Sequence, residues 1–250
     1  MKKEWIETNR ENKLLILMLS FISISVFSIL LTRYTPEIMK ALFPENMGEA
    51  KAILDQYTKN ISAKNYIDQF SKYISQLGFL ITAIIFSDYI VKEVSEGRIY
   101  NLLSLGIQRK KILLTKSLMM NIVCILCMIT SLIILRLGLL FYDVYISINL
   151  YALVSLVLIL KYLLLINIMT LISTLVKNTW INLIISLSIY AILSVGRYLP
   201  VFKFFTPFFY IYNFAIAGSL YSSITALLAT TFFIIIIYIF AIRIFNKKEM

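Results

Sequence analysis

Six long apolar runs separated by shorter polar segments dominate the pattern of side chains along this chain. A helix needs about 20 apolar residues to cross the ~30 Å hydrocarbon core of a bilayer. Each run is long enough to do so, which predicts an all-α integral membrane protein with six transmembrane helices. The predicted spans are residues 14–32, 74–92, 112–136, 150–176, 180–197 and 220–244.

The composition of three segments outside these spans predicts further structural features. Residues 1–13 are mostly polar but contain Trp5, and Trp is enriched at headgroup depth. We therefore expect a helix lying in the interface with Trp5 as its anchor, or else a frayed polar tail. Residues 33–73 are predicted to be an outer loop with one or two small helices. Residues 198–219 are aromatic but broken by two prolines, which favours re-entrant outer helices or an interfacial aromatic loop.

Composition narrows the class of protein further. Of the 250 residues, 60% are hydrophobic and 15% are charged, and the mean hydropathy is +0.86. Soluble domains are about 45–50% apolar and about 25% charged. A water-soluble enzyme is therefore excluded, and six spans leave no room for a second large domain. We expect residues 1–250 to form a single transmembrane domain.

The distribution of basic residues predicts the orientation. At the ends of the spans and between them, fourteen Lys and Arg residues fall on the side that holds both termini and nine on the other side. Short flanks rich in Lys and Arg stay in the cytoplasm. Both termini are therefore predicted to be cytoplasmic in a multi-pass protein of the cell membrane. The net charge of +11 belongs to flanks that meet anionic headgroups, and not to a nucleic-acid site.

Several chemistries have no residues to support them. The chain has no His, which excludes His-dependent catalysis and His metal sites. Cys124 and Cys127 lie inside an apolar run without further ligands, so we interpret them as small buried side chains and not as a redox or metal pair. No glycine-rich phosphate loop ending in Gly-Lys-Ser or Gly-Lys-Thr occurs. We expect neither an enzyme nor a cofactor or metal resident in this chain.

The connector between the second and third spans, residues 93–111, carries the most informative pattern. Apolar or small positions recur along it at helical spacing, at Ile99, Leu102, Leu103 and Gly106. An amphipathic helix on the membrane face offers a ridge for a partner's groove, and Gly97 would let the chain turn into the membrane plane. A basic anchoring loop without partners is the alternative.

This connector resembles the corresponding segment in the permease subunits of type-2 ABC exporters. That segment typically has Glu, three residues, Gly, a Leu-rich turn, and then Arg and Lys. The matching residues here are Glu93, Gly97, Leu102, Leu103, Arg109 and Lys116. The chain departs from the family where Arg98 replaces a frequent Thr and where residues 106–108 replace a frequent Pro. The resemblance extends to the layout of the whole chain, with its six spans, long first outer loop and re-entrant segment.

The resemblance implies a mechanism. Such permeases pair with a second permease chain, in a homodimer or a heterodimer, and two ATP-binding subunits dock beneath them. The connector acts as a coupling helix, and ATP and Mg²⁺ are bound by the partner subunit and not by the permease. The residues that would carry the coupling here are Glu93, Glu96, Gly97, Arg98, Leu102, Leu103, Arg109 and Lys116.

One basic residue lies deep inside a predicted span, away from its ends. Lys161 lies near the middle of residues 150–176, where a Lys costs about 2.5–3.5 kcal/mol on insertion scales. It either faces a transport cavity or the dimer seam, or it snorkels to a headgroup or pairs within the bundle. Further candidate pathway residues, in the densest aromatic cluster, are Phe205, Phe208 and Phe209. Asp88 is expected to pair with Lys92 at i+4.

These patterns lead to an expected function. The chain would be the membrane-spanning subunit of a bacterial ATP-driven exporter for an amphipathic or hydrophobic cargo, such as a peptide toxin or antimicrobial peptide. A permease for hydrophobic drugs or antibiotics is the first alternative, and a channel or carrier without an ATPase is the second. The choice of cargo rests on family habits and on the aromatic character of residues 198–219. An intramembrane enzyme would need a second acid in a predicted span or a Ser–His pair, and neither is present, since Asp88 is the only such acid and the chain has no His.

Overall fold

The computed structural model describes residues 12–42, 63–196 and 220–247, and these residues are helical except for short turns. We number the α-helices in chain order, and a π-helical turn, Ile74–Gly78, joins α2 to α3. The helices are α1 Lys13–Leu42, α2 Ala63–Tyr73, α3 Phe79–Phe86, α4 Val91–Ser95, α5 Arg98–Ser104, α6 Arg109–Phe141, α7 Ile148–Leu175, α8 Thr179–Gly196 and α9 Leu220–Lys247. The described chain contains no strand, which confirms the all-α prediction.

Five helical stretches of the described chain are long and apolar enough to cross a membrane. They are Lys13–Ile38, Asn65–Ser95, Arg109–Phe141, Tyr151–Leu175 and Leu227–Asn246. The span predicted at residues 180–197 falls on α8, whose apolar stretch Thr179–Leu193 is shorter than the others. The helical membrane character is thus confirmed with five candidate spans, and the remaining predicted span is a shorter apolar helix.

Helices occupy both described ends of the segment 33–73, which was predicted to be an outer loop with one or two small helices. Helix α1 continues through a buried Pro36, and α2 begins at Ala63 and leads directly into the second candidate span. A proline inside a membrane helix is tolerated when the surrounding protein covers the interrupted turn. Here the Thr32 hydroxyl, one turn earlier, also donates to the Ser28 carbonyl at 2.8 Å. At the other end, the apolar side chains of α2 pack into the core and extend the helix.

Other predicted features lie outside the described residues. Trp5 and almost all of the interfacial helix predicted at residues 1–13 fall there, as do the middle of the outer loop and the whole re-entrant segment at residues 198–219. The aromatic pathway residues in that segment are Phe205, Phe208 and Phe209. These features stay predictions.

Small side chains line the contact between α1 and α6. The hydroxyl oxygens of Ser25 and Ser131 are 2.6 Å apart, and both residues are buried. Farther along the same contact, Gly138 leaves room for the Ile29 side chain. Small residues let helix backbones approach closely where lipid removes the hydrophobic force between helices. This packing fixes α6, which carries part of the site described below.

The second candidate span is interrupted twice. The π turn is the first interruption, and the turn at residues 87–90, between α3 and α4, is the second. The Asn182 amide of α8 donates to the Ser87 carbonyl at 2.8 Å, so a side chain supplies a hydrogen bond where the helix breaks off. A groove lies beside the π turn, and a cluster of charged side chains lies at the turn at residues 87–90.

Candidate functional site

Four chain segments meet at one end of the bundle, which is termed the basic end here. They are the start of α1, the segment from the turn at residues 87–90 to the end of α5, the start of α6 and the end of α9. The contacts between them join Lys13 Nζ to Asp88 Oδ1 at 2.9 Å, Lys116 Nζ to Glu93 Oε1 at 2.9 Å, and Arg109 Nη1 to the Phe245 carbonyl at 3.4 Å. The basic residues of the sequence predict that this end faces the cytoplasm.

Glu93 and Lys116 form an ion pair that is almost completely buried. The Glu93 side chain is 5% exposed and the Lys116 side chain 2%. The Lys116 ammonium also lies 4.3 Å from the centre of the Tyr89 ring, within the range of a cation–π contact. The pair holds α4 against the first turns of α6. Both residues were predicted to couple to a partner, and their burial makes them internal braces of the connector instead of parts of its surface.

A second ion pair, Lys13–Asp88, lies beside the first. The Lys13 ammonium is 5.4 Å from the centre of the same Tyr89 ring, so this ring contacts the lysines of both pairs. The predicted pairing of Asp88 with Lys92 is wrong, because the turn after α3 carries Asp88 to the start of α1. Sequence reasoning missed Lys13 and Tyr89, since no local spacing connects residues that are 75 positions apart.

Two glycines with left-handed backbone stand on either side of α5. Gly97 precedes the helix with a φ of 71°, and Gly106 follows it with a φ of 77°, a region that favours glycine. The Gly106 N–H donates to the Leu103 carbonyl at 2.9 Å, and the Ile107 N–H donates to the Leu102 carbonyl at 3.2 Å. This pair of bonds is a Schellman motif, which ends the helix. The expected turn at Gly97 is confirmed.

The apolar stripe of α5 faces its own protein. Ile99 is 1% exposed, and Leu102 and Leu103 are half-buried against the core. The ridge predicted for a partner is therefore largely covered. Leu105, by contrast, is 75% exposed just after the last helical residue. Together with its exposed neighbours it forms what is termed the Leu105 surface, made of Ser104, Leu105, Gly106, Gln108, Lys110 and Lys111.

The remaining predicted coupling residues have separate positions. Glu96 is exposed at the end of α4, and the side chain of Arg98 lies outside the described part of the structure. Arg109 begins α6, and its Nη1 donates to the carbonyls of Phe245 and Asn246, each at 3.4 Å. Cations stabilise helix C-termini by binding the last carbonyl groups, so Arg109 joins the start of α6 to the end of α9.

A groove with a volume of about 740 Å³ lies between the second candidate span, α7 and α8. Its polar wall comes from α2 and the π turn, at Asp68, Ser71, Lys72, Ser75 and Gln76. Its apolar wall comes from α3 and α8, at Phe79, Leu80, Leu187, Tyr190, Ala191 and Val195. Lys161 of α7 also lines the groove, so the basic residue within the predicted fourth span borders a cavity.

The π turn is built around Tyr162, the neighbour of Lys161. The Tyr162 hydroxyl donates to the Ile74 carbonyl at 2.6 Å, and the same carbonyl accepts the Phe79 N–H in the i+5 bond of the turn. A Cβ at Gly78 would collide with the Tyr162 hydroxyl oxygen, so any other residue there would force one of the two groups to shift. A π turn inserts an extra residue into a helix and is frequent at functional sites. The polar wall of the groove begins just before this turn and continues into it.

The two cysteines have no place in either site. Cys124 and Cys127 are free thiols buried in α6, as expected of small core side chains. Across the described residues, no group of three or more His, Cys, Asp or Glu side chains is arranged to hold a metal ion.

Comparison with known proteins gives no relative for this chain. No protein-family model matches it, and no curated protein or solved structure matches it. The basic end, the groove and the pattern of the connector are therefore the features that bear on its function.

Proposed function

We propose that this chain is the membrane-spanning subunit of an ATP-driven exporter of the ABC type, and that a separate ATP-binding subunit docks at the basic end. The observation that carries the proposal is the buried ion pair between Glu93 and Lys116, which braces the connector against α6. The resemblance of the connector to that of type-2 ABC permeases adds to it.

Several contacts hold α5 to its neighbouring helices, so a force applied to α5 would be transmitted to them. Ile99 is buried in the core and Glu93 is paired with Lys116, so α4, α5 and the start of α6 are held together. Arg109 adds the end of α9 to the same unit. Close-packed interiors have few voids and transmit displacement. Closure of a docked ATP-binding subunit would therefore move the second, third and last spans together.

In this proposal the docking surface is the Leu105 surface and not the covered apolar stripe of α5. Leu105 is an exposed apolar side chain, and Lys110 and Lys111 are exposed close to it in the chain. An apolar anchor with a basic rim suits a partner groove with an apolar floor and an acidic edge. In this proposal Leu105 enters that groove, and the two lysines guide the approach.

The groove supports an amphipathic or hydrophobic cargo, because one of its walls is polar and the other apolar. A peptide toxin or antimicrobial peptide is the cargo proposed here, and a hydrophobic drug or antibiotic is the alternative for the same machinery. The full exporter would contain a second permease chain and two ATP-binding subunits that bind ATP and Mg²⁺. Both termini would lie in the cytoplasm. A channel or carrier without an ATPase is the remaining alternative.

Leu105→Asp tests the docking surface without disturbing the buried braces. The full chain is co-expressed with the ATP-binding subunit proposed as its partner, and the ATP hydrolysis that co-purifies with it is measured. We expect Leu105→Asp to lower it about tenfold, since a charge at the centre of an interface removes a main anchor. The matched control is Tyr145→Asp, at a residue 88% exposed near the opposite end of α6, which should leave it unchanged. Equal activity in both variants, or transport by the chain alone without ATP, would reject the proposal.

A further inference from the structure

The charges that line the groove are mostly positive. Lys72 and Lys161 face one acid, Asp68, among the lining residues. An ionisable side chain within a membrane span is costly, and such residues typically mark sites for ligands, ions or protons. A ligand that enters this groove therefore gains most if it carries a negative charge.

The rest of the polar wall offers groups that bind an anion. The hydroxyls of Ser71 and Ser75 and the amide of Gln76 line the groove together with the ammonium groups. Hydroxyl, amide and ammonium groups all donate hydrogen bonds, and bonds to a carboxylate or phosphate are the stronger, charge-assisted kind. The wall thus favours an anionic headgroup over a neutral one.

The facing wall fits an alkyl chain. Leu187, Ala191 and Val195 recur at every fourth residue of α8 and form an apolar strip, about 12 Å long at ~1.5 Å per residue. Burying alkyl groups against such a strip is favourable in proportion to the apolar area removed from water. The groove volume of about 740 Å³ is that of a site for a small ligand and not for a folded partner.

We propose that this groove binds an anionic amphiphile, with its carboxylate or phosphate at Lys161 and its apolar chain along α8. The inference goes beyond the proposed function, since binding needs neither an ATPase nor transport. Two sources offer the same chemistry: a phospholipid of the surrounding bilayer and a free single-chain amphiphile.

Native mass spectrometry of the purified full chain in a neutral detergent tests the proposal. The chain is titrated with phosphatidylglycerol or with phosphatidylcholine of identical acyl chains, and separately with oleate or with oleyl alcohol. We expect the anionic member of at least one pair to bind about tenfold more tightly than its neutral counterpart. A preference in the first pair identifies a phospholipid and a preference in the second a free amphiphile, and either result supports the site.

Variants assign the binding to the groove. Lys161→Gln should abolish the preference for the anionic ligand, and Lys161→Arg should keep it. Lys177→Gln is the matched control, because Lys177 is exposed outside the groove, and it should bind as the wild type does. Ala191→Phe keeps the charge but fills the groove, so it should weaken binding even if Lys161→Gln does not fold. The proposal is overturned if the wild type shows no preference, if a folded Lys161→Gln variant keeps the preference, or if Ala191→Phe binds as tightly as the wild type.

Discussion

The basic end and the groove both hold lysines in or next to candidate membrane spans, but they surround them differently. At the basic end, Lys13 and Lys116 each lie 2.9 Å from a carboxylate, and Tyr89 packs against both. In the groove, Lys72 and Lys161 line a cavity of about 740 Å³. A lysine enclosed by protein contributes to stability, whereas a lysine that borders a cavity acts on what enters it. The first region is suited to transmit force and the second to select a ligand.

Breaking the buried pair should have the largest effect. Glu93→Ala leaves Lys116 buried without its carboxylate, so we expect the free energy of unfolding to fall by about 3–5 kcal/mol. Thermal or denaturant unfolding in detergent measures this change. The double variant Glu93→Leu with Lys116→Met replaces the pair by apolar side chains and should recover most of the loss. Equal losses in the single and double variants would show that the pair is not a brace.

Crowding the π turn beside the groove should have the next largest effect. Gly78→Ala places a methyl group against the Tyr162 hydroxyl, and such overpacking costs about 1–3 kcal/mol. The same unfolding measurement reports it. Adding Tyr162→Phe removes the oxygen that the new methyl group meets and should relieve part of the cost. If Gly78→Ala is neutral, the close contact does not explain the glycine.

Substitution of Gly106, in the turn after α5, should lower stability through backbone strain alone. A Cβ at Gly106 would meet no atom within 4 Å, so Gly106→Ala tests only the left-handed φ of 77°. That conformation costs a residue with a side chain about 1–2 kcal/mol, and the unfolding free energy should fall accordingly. Gly106→Asn should cost less, because Asn adopts the left-handed region more readily. Identical losses for Ala and Asn would point away from φ as the cause.

The smallest effect on stability is expected at Lys161, and it sharpens the contrast between the two regions. Lys161→Leu should lower the free energy of unfolding by less than Lys116→Leu does, because Lys161 is partly exposed in the groove whereas the Lys116 side chain is 2% exposed. Lys116→Leu, at the buried pair, should cost about 3–5 kcal/mol in the same assay. Ligand binding or export should change in the first variant. Equal destabilisation by both substitutions would make Lys161 a structural residue.

The sequence predicts the helices well because their signal is local. The third predicted span, residues 112–136, lies within Arg109–Phe141, and the turn at Gly97 was expected from its place at the end of a span. The apolar periodicity of α5 was also recognised, but periodicity cannot tell whether a stripe meets a partner or the chain's own core. Packing against distant helices decides that, and it buried Ile99.

The groove and the basic end were harder to predict for the same reason. The polar wall of the groove lies mostly in the segment 33–73, which was predicted to be an outer loop with one or two small helices because Pro36, Pro44 and Gly48 punctuate it. The polar side chains of this wall lie on the side of α2 and the π turn that lines the groove. The groove forms only because α7 and α8 pack beside this helix, and the local sequence does not show that packing. The pair Lys13–Asp88 joins residues far apart in the chain, which no single-sequence spacing reveals.

Site-directed cross-linking from the Leu105 surface tests the central claim most directly. Leu105→Cys gives an exposed thiol, while Cys124 and Cys127 are buried, and Tyr145→Cys gives a matched thiol near the opposite end of α6. We predict that Leu105→Cys cross-links to the ATP-binding subunit in the assembled, ATP-hydrolysing complex and that Tyr145→Cys does not. Mass spectrometry of the cross-linked peptides identifies the partner site. An active complex in which the ATP-binding subunit cross-links to Tyr145→Cys, or to neither thiol, would contradict the account.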